Sequence, residues 1–337
     1  MLQLVRVARG MTQSELAHRT GISQAVLSKV ESGVVELDEQ RLNTVADKLQ
    51  VPLARLTTGE PTGGVLSACA FHRRRNSLSV SDANRIRANL DLRRMQVEAL
   101  LPISDVDVTV PRKAPSDDDW DSPETIALDV REAMRLGEGP IDDLVAAVEA
   151  TGAVVIVTDL GAARIDAIGS WPPGHRPVFM LNARTPADRR RFTLAHELGH
   201  AVMHELPSSD QESEADRFAS ELLMPSNSIR SELNDLDLPK LVTLKRRWGA
   251  SMAALIRKAR DVNAITDHDY KQLNIALSTA GYRTNEPVPL HEELPSLVGQ
   301  AVHRRLDHGE LVQQLADKAL MTVEEFTSIY LKADHDD

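Results

Sequence analysis

Two histidines in the stretch 193–205 have a spacing that can bind a metal. His196 and His200 enclose Glu197 in the pattern H-E-x-x-H. Side chains four residues apart lie on one face of a helix, so the two imidazoles can bind one zinc ion. Glu197 would lie beside the metal and could take a proton from the attacking water. The pattern predicts a zinc site with a catalytic glutamate; the alternative is a surface helix that carries two histidines by chance.

A third zinc ligand is expected from a second helix, predicted over residues 212–224. Its apolar face contains Ala215, Phe218, Ala219, Leu222 and Leu223. At about 100° per residue, Glu212 and Asp216 border that face, whereas Glu214 lies well away from it. We therefore expect Glu212 to bind the metal. Asp216 is expected to orient a ligand histidine without binding the metal itself. The alternative is a solvated acidic first turn that the helix dipole favours.

The overall composition indicates a chain of two or three domains with no membrane segment. It has 337 residues, a net charge of -11 and a mean hydropathy of -0.26. No apolar run is long enough for a membrane span, and the N-terminus is too polar for a signal peptide. Cys69 is the only cysteine, which excludes an internal disulfide. These features predict a cytoplasmic protein that binds no membrane.

Charge is unevenly distributed along the chain. Residues 1–94 contain 14 Lys and Arg against 9 Asp and Glu, although the whole chain is acidic. A basic N-terminal part on an acidic chain favours contact with nucleic acid at that end.

Residues 1–56 are predicted to form an all-α helix-turn-helix domain of four or five short helices. Thr12 and Glu15 form a capping box for a helix over 13–19, and Gly21 marks a tight turn. Ser23 then caps a helix over 24–30, and a further helix is predicted over 39–49. Two short helices joined by a glycine turn are typical of DNA-binding proteins.

The second of these helices is expected to enter the major groove of double-stranded DNA. It would present Gln24, Ala25, Ser28 and Lys29 to the bases. The Gln24 amide suits adenine, and Lys29 suits guanine or a phosphate. Gln13, at the start of the preceding helix, would reach a phosphate.

The stretch 11–33 resembles the lambda-repressor-like, or XRE, family. It contains T-Q-x-E-L-A from Thr12, the turn glycine, and S-Q-x-x-L-S-K-x-E-x-G from Ser23. The resemblance implies an operator-binding domain and frequent dimerisation, so we expect a homodimer. It assigns DNA contact to Gln13, Ser23, Gln24, Ser28 and Lys29. The alternative is a helical bundle used for protein contact.

Residues 57–124 are interpreted as a linker followed by an amphipathic helix over 84–101. Ile86, Leu90, Val97 and Leu101 lie on one side of that helix, which serves either dimerisation or packing on a neighbour. The arginine cluster 73–75 could contact phosphates or be a solvated charge run.

Residues 125–235 are predicted to form a small α+β, zincin-like peptidase domain within a multi-domain, mainly α chain. Strands are expected over 153–157, 163–168 and 178–182. The last, directly before the zinc helix, is the candidate for pairing with an extended substrate. Residues 236–337 are predicted to be helical, and the stretch around Gly249 is interpreted as packing rather than reading DNA.

The second part of the chain resembles the ImmA/IrrE family of metallopeptidases. The similar motifs are V-F-M-L-N from Val178, D-x-x-R-F-T-L-A-H-E-L-G-H from Asp188 and E-x-E-A-D-x-F-A-x-E-L-L-M-P from Glu212. The resemblance implies a zinc-dependent endopeptidase that cleaves a transcriptional repressor during stress or mobile-element induction. It places zinc on His196, His200 and Glu212, with Glu197 as base. His175, His204 and Tyr282 remain alternatives for stabilising the oxyanion.

Three hypotheses about function follow from the sequence; the third, a housekeeping peptidase that its N-terminal domain only localises, is disfavoured by the recognition helix over 24–30. The first is a DNA-binding regulator that carries a zinc endopeptidase, which cleaves a repressor or the chain itself. The second is a repressor or antitoxin-type regulator that uses the metalloprotease fold as a sensor or scaffold without proteolysis. Glu197 favours the first, because a scaffold needs no base beside the metal.

Overall fold

The computed structural model describes residues 1–58, 71–72, 79–116, 121–161, 165–205, 209–283 and 285–331. The chain divides into two compact units. The first contains Met1–Ser67, Arg74–Val106 and Ser296–Asp337; the second contains Ala68–Arg73 and Asp107–Pro295. This grouping differs from the division after residues 56, 124 and 235 that the sequence suggested. The arginine cluster 73–75 and the acidic run 117–119 lie outside the described residues.

The first unit begins with short helices followed by one long helix. They are α1 (Leu2–Ala8), α2 (Gln13–Thr20), α3 (Gln24–Glu31), α4 (Glu39–Leu49), α5 (Leu53–Thr57) and α6 (Val80–Leu100). Thr12 and Glu15 form the expected capping box, and the Ser23 hydroxyl accepts from the Val26 amide. Gly21 ends α2 in the left-handed conformation that glycine adopts at low cost. The expected helix-turn-helix is therefore confirmed in its local geometry.

The helix α6, predicted over 84–101, begins four residues earlier and packs within the first unit. Ile86, Leu90 and Val97 are buried on it, and Ala88 and Leu92 share an apolar cluster with Leu16 and Leu27 of the helix-turn-helix. Of the two roles expected for this helix, packing on neighbouring helices is the one that the structure shows.

The second unit combines a small sheet with helices. Its elements are β1 (Phe71–His72), α7 (Pro123–Ala133), α8 (Leu144–Glu149), β2 (Val154–Thr158), β3 (Ala167–Ser170), β4 (Val178–Asn182), α9 (Ala187–Met203), α10 (Gln211–Leu223), α11 (Ser226–Ile229), a 3-10 turn (Arg230–Leu233), α12 (Leu238–Trp248), α13 (Met252–Asp261) and α14 (Asp267–Thr279). The strand order is β1-β3-β4-β2, with β2 and β4 parallel and the other pairs antiparallel.

The strands correct one expectation about the substrate. β4 has the bounds that the sequence predicted, but it lies inside the sheet, with β2 on one edge and β3 on the other. Its backbone groups are therefore already paired, and the prediction that residues 178–182 pair with substrate is wrong. All five β4 residues are buried, as a continuous apolar run requires. β2 begins one residue later than expected. β3 spans Ala167–Ser170, whereas the sequence predicted a strand over 163–168. Residues 163 and 164 lie outside the described part of the chain.

The helix α9 is buried between the sheet and α10. Leu194, Leu198 and Val202 share one core with Phe179 of β4 and Phe218 of α10. At Gly199, an added Cβ would come within 2.8 Å of the Phe218 ring, so the two helices need a glycine to approach this closely. This packing immobilises the helix that carries the two histidines.

The predicted C-terminal helical region is divided between the two units. α12, α13 and α14 belong to the second unit, where Trp248, Leu255 and Ile256 are buried as expected. The last helices return to the first unit: α15 (Leu297–Asp307), α16 (Val312–Lys318) and α17 (Val323–Tyr330). There the Arg305 guanidinium donates to the carbonyls of Ala99 and Leu100. Among the described residues, no helix is long and apolar enough to cross a membrane.

Candidate metal centre

The two histidines of α9 face one another at the centre of the second unit. The Nε2 atoms of His196 and His200 lie 3.0 Å apart. Both rings are buried, with 1% and 0% of their surface exposed. The helical spacing of four residues accounts for this juxtaposition, because it places the two side chains one turn apart on the same face.

Glu212, in the first turn of α10, completes a three-residue cluster. Its two carboxylate oxygens lie 3.6 Å from His196 Nε2 and 3.5 Å from His200 Nε2. Ligands of a tetrahedral zinc ion, each about 2.0–2.2 Å from the metal, are separated by roughly 3.3–3.5 Å. The three distances are close to this spacing. Among the described residues, His196, His200 and Glu212 form a group whose ligand atoms lie close enough together to hold one metal ion.

Hydrogen bonds to the Nδ1 atoms of the two histidines favour the neutral tautomers in which Nε2 is available to a metal. His196 Nδ1 lies 2.8 Å from Asp216 Oδ1, as expected for a residue that orients a ligand. Since a carboxylate only accepts, Nδ1 donates and the Nε2 lone pair faces the cluster.

His200 has a longer chain of partners that the sequence analysis did not anticipate. Its Nδ1 lies 3.0 Å from His204 Nδ1, and His204 Nε2 lies 2.8 Å from Glu214 Oε2. With a proton on His204 Nε2 for the carboxylate, His204 Nδ1 accepts from His200 Nδ1. The Nε2 lone pair of His200 then also faces the cluster. Glu214 was expected to lie away from the metal because it is off the apolar face of α10. It is nevertheless connected to His200 through its hydrogen bond with His204.

This arrangement fits a bound cation. Two imidazole lone pairs and a carboxylate that face one another repel unless a proton or a metal ion lies between them. The tautomers leave His196 and His200 as acceptors, and neutral imidazole nitrogen is a good zinc ligand. A cation also offsets the cost of enclosing Glu197, which is 0% exposed.

Without a metal, the pKa values of His196 and His200 are shifted in opposite directions. Burial lowers the pKa of His196, but the hydrogen bonds to Asp216 and Glu212 outweigh it and raise the pKa to about 9. Burial dominates at His200 and lowers its pKa to about 4. Hydrogen bonds to the two histidines hold the pKa of Glu212 well below its usual range. Near neutral pH the metal-free pair therefore carries one positive charge, on His196, whose Nε2 then also holds a proton, whereas His200 is neutral with its proton on Nδ1.

Glu197 lies beside β3. A Cβ atom added to Gly169 would come within 3.2 Å of Glu197 Oε2 and within 2.9 Å of the Phe179 ring. Glycine thus lets the strand backbone pass close to this carboxylate. The strand that runs along the site is β3 rather than β4.

Of the three alternatives for the oxyanion-stabilising residue, His204 uses both ring nitrogens within the protein, on His200 and Glu214. His175 accepts from the Trp171 indole through its backbone carbonyl, and Tyr282 packs against the apolar core. His175 and Tyr282 stay sequence-based alternatives.

The proposed DNA-reading face of the helix-turn-helix is exposed, whereas the histidine cluster is buried. The expected DNA-contacting residues of this face are exposed: Ser23, Gln24, Ala25, Ser28 and Lys29. The exception is Gln13 of α2, which is half-buried. Its amide donates to Glu31 Oε2 at 2.7 Å, and Glu31 also receives the Arg6 guanidinium. Gln13 is thus held within the domain.

Comparison with protein families agrees with both resemblances. Residues 2–56 match the family model described as Helix-turn-helix. Residues 148–260 match the peptidase family model described as IrrE N-terminal-like domain. A comparison with curated proteins finds no match.

The chain thus contains a region similar to XRE-type helix-turn-helix domains at residues 2–56 and a region similar to IrrE/ImmA-like peptidase domains at residues 148–260. The two matches support a DNA-binding regulator with a peptidase-like domain. The peptidase match extends through α12 and α13, which the sequence analysis had assigned to a separate C-terminal region.

Proposed function

We propose that this chain is a DNA-binding transcriptional regulator whose second unit is a zinc-dependent endopeptidase that cleaves a repressor or another regulatory protein on induction. One observation carries the proposal. The Nε2 atoms of His196 and His200 lie 3.0 Å apart, and Glu212 of α10 brings a carboxylate oxygen within 3.6 Å of each.

The second-unit residues have separate roles in peptide hydrolysis. Zinc held by His196, His200 and Glu212 would supply Lewis-acid polarisation of the peptide carbonyl and of water. Glu197 accepts the proton of the attacking water and returns it to the leaving amine. Its burial supports this role, because a carboxylate in a dry environment is a stronger base than one in water.

The hydrogen bonds to Nδ1 of the two ligand histidines keep their rings oriented toward the proposed metal position. Asp216 holds the ring of His196, and Glu214 holds His200 through His204. Such partners fix the ring orientation and raise the basicity of the ligand.

The first unit supplies the DNA-binding half of the proposal. The exposed face of α3 presents a glutamine and a lysine, Gln24 and Lys29, which can contact base edges and phosphates of an operator. As in other helix-turn-helix proteins, we propose that the chain binds its site as a homodimer.

Glu197→Gln tests the catalytic part. The substitution keeps the three proposed zinc ligands, so zinc should stay bound while the cleavage rate falls by about 10²–10⁴-fold. Glu138→Gln, on an exposed residue of the same unit, is the matched control. Cleavage of co-expressed candidate repressors and promoter output after induction would be compared.

Operator binding should be the same in wild type and in both variants, while only Glu197→Gln should fail to release the target promoter. If Glu197→Gln cleaves and induces like wild type, proteolysis by this site is not the switch. The interpretation as a sensor or scaffold would then replace it.

A further inference from the structure

A cavity of about 340 Å³ lies in the second unit, at the first turns of α9. Its apolar lining includes Val157 of β2, Leu181 of β4 and Leu194 of α9. Four arginines from α9 and α12 also line it: Arg190, Arg191, Arg246 and Arg247. Clefts of about 300–1,000 Å³ are typical of small-molecule sites, so this cavity can hold a small ligand.

The two arginines of α9 are buried and form ion pairs with one irregular segment. Arg190 lies 2.8 Å from Glu292, and Arg191 pairs with Glu293. Both glutamates belong to residues 285–295, which form no helix or strand. Arg191 Nε is nevertheless buried without a hydrogen-bond partner among the described residues. The segment therefore leaves part of the donor capacity of these guanidinium groups unused.

The charges that line the cavity favour an anion. Its carboxylates are Asp142, Asp143 and Glu293. Asp143 already caps α8, because its side chain accepts from the Ala146 amide at 2.8 Å. If Glu293 moves away, four arginines face two carboxylates. Guanidinium groups match the oxygens of carboxylates and phosphates in bidentate geometry, so these are the ligand groups that the lining can recognise.

The 285–295 segment occupies the cavity at a cost in energy. Glu286 accepts from Lys245 Nζ at 2.8 Å, which fixes the start of the segment. Val288 has a φ of 62°, a left-handed conformation that is unfavourable for a β-branched residue. Burial also raises the pKa of the Glu293 carboxyl, so enclosing its negative charge is unfavourable as well. The part of the segment after Glu286 can therefore be displaced by a ligand that brings the same charges.

We propose that this cavity binds a small doubly charged anion, a phosphate monoester or a dicarboxylate, and that Glu292 and Glu293 occupy its arginines until the ligand displaces them. The two glutamates supply the same two negative charges as the ligand. Because Arg190 and Arg191 belong to α9, the ligand contacts the helix that also carries the metal centre. The inference is independent of the proposed function, because this binding needs neither zinc nor turnover.

Isothermal titration of the full chain with phenyl phosphate and with succinate tests the site. At least one of the two probes should bind saturably. Arg246→Gln/Arg247→Gln removes two exposed guanidinium groups from the lining and should weaken that binding at least about tenfold. The matched control is Arg257→Gln/Arg260→Gln, which removes the same charge from exposed positions of α13 outside the cavity. The control should bind like wild type.

Glu292→Gln/Glu293→Gln tests the displacement. This variant should bind the same probe at least about tenfold more tightly than wild type, because the competing charges are gone. Glutamine has nearly the size of glutamate and can still accept from Arg191, so the fold should be retained, which thermal unfolding checks. Glu132→Gln/Glu138→Gln, at two exposed positions of the same unit, is the control for the change in net charge.

Binding of phenyl phosphate alone would identify the ligand group as a phosphate, and binding of succinate alone would identify it as a pair of carboxylates. If neither probe binds, or if Arg246→Gln/Arg247→Gln binds like its control, the cavity is not an anion site. Equal affinity of Glu292→Gln/Glu293→Gln and its control would overturn the displacement. Zinc-dependent cleavage by a chain that binds no anion would leave the proposed function intact, and anion binding by a chain that cleaves nothing would leave this inference intact.

Discussion

The proposed reading face of α3 and the proposed metal centre of α9 both rely on polar side chains, but the first is exposed and the second is buried. Gln24 and Lys29 lie on an exposed face. His196 and His200 are buried, and each is attached through Nδ1 to a partner that sets its tautomer. DNA can supply the missing partners of an exposed face when it binds. The histidine cluster, by contrast, is held in place by hydrogen bonds within the protein.

This difference predicts how far the effect of a substitution should spread. In the buried network, the loss of one group leaves another without its partner at a cost of about 1–3 kcal/mol, in addition to the lost function. On the exposed face, water replaces the lost contact and the rest of the domain is unaffected. The following experiments compare the two regions, from the largest expected effect to the smallest.

His196→Ala should have the largest effect. It removes one ligand and leaves Asp216 without the ring nitrogen that it now contacts at 2.8 Å. The loss of zinc affinity should exceed the 10–100-fold that is typical when a hydrogen-bond partner of a ligand is removed. Metal content after dialysis measures it, with exposed His303→Ala as the control. Full metal content in His196→Ala would contradict the assignment.

Zinc affinity should also depend on pH, with one proton released for each metal bound near neutrality. Without metal, the pKa of His196 is about 9, so the ring is protonated below that pH and must lose its proton to bind zinc. His200, with a pKa of about 4, is neutral there, and its Nε2 has no proton to release. Affinity should fall about tenfold per unit as pH decreases from 8 to 6.

Calorimetry in buffers of different ionisation enthalpy measures the released proton. Free zinc must be held constant by a chelator whose own pH dependence is known. Affinity that does not change over this range would show that His196 is neutral before the metal binds.

His204→Ala should weaken zinc binding by about 10–100-fold, although His204 is not a ligand. The substitution removes the acceptor of His200 Nδ1 and separates Glu214 from the site. His204→Asn, which can still hydrogen-bond with His200, should recover part of the affinity. The absorption spectrum of the cobalt-substituted protein should shift in His204→Ala, because the orientation of His200 changes. A purely structural role for His204 predicts unchanged cobalt geometry.

On the reading face, Gln24→Ala or Lys29→Ala should weaken operator binding by roughly 1–3 kcal/mol where the contact is to a base edge. The melting temperature should hardly change, because both side chains are exposed. Binding should also weaken steeply with salt, as expected when phosphate contacts release counterions. Gel-shift titrations and thermal unfolding distinguish loss of contact from loss of fold.

Gln13→Ala should have the smallest effect on DNA affinity among these variants. Its amide is held by Glu31, which also pairs with Arg6. We expect a change in stability of about 0.5–1.5 kcal/mol, typical for one hydrogen bond, with less loss of operator affinity than in Gln24→Ala. A larger loss of affinity in Gln13→Ala would restore the phosphate contact that the sequence suggested.

Local features of this protein were determined by its sequence. The capping residues Thr12 and Ser23 locate the starts of α2 and α3. The spacing of His196 and His200 places them on one face, and the apolar periodicity of α10 correctly placed Glu212 and Asp216 beside them. These features depend on helix geometry and on groups within a few residues of one another, so neighbouring sequence is enough.

Only the tertiary structure decided which distant segments meet. The buried run of β4 indicated a strand but not its central position, because apolar residues do not reveal which edges are paired. Glu214 lies away from the apolar face of α10, yet it reaches the site because α9 brings His204 to it. The return of α15 to α6, and the pairing of Phe71 with Gly169, depend on burial and hydrogen bonding between residues far apart in the chain. Such long-range contacts have no signature in local spacing.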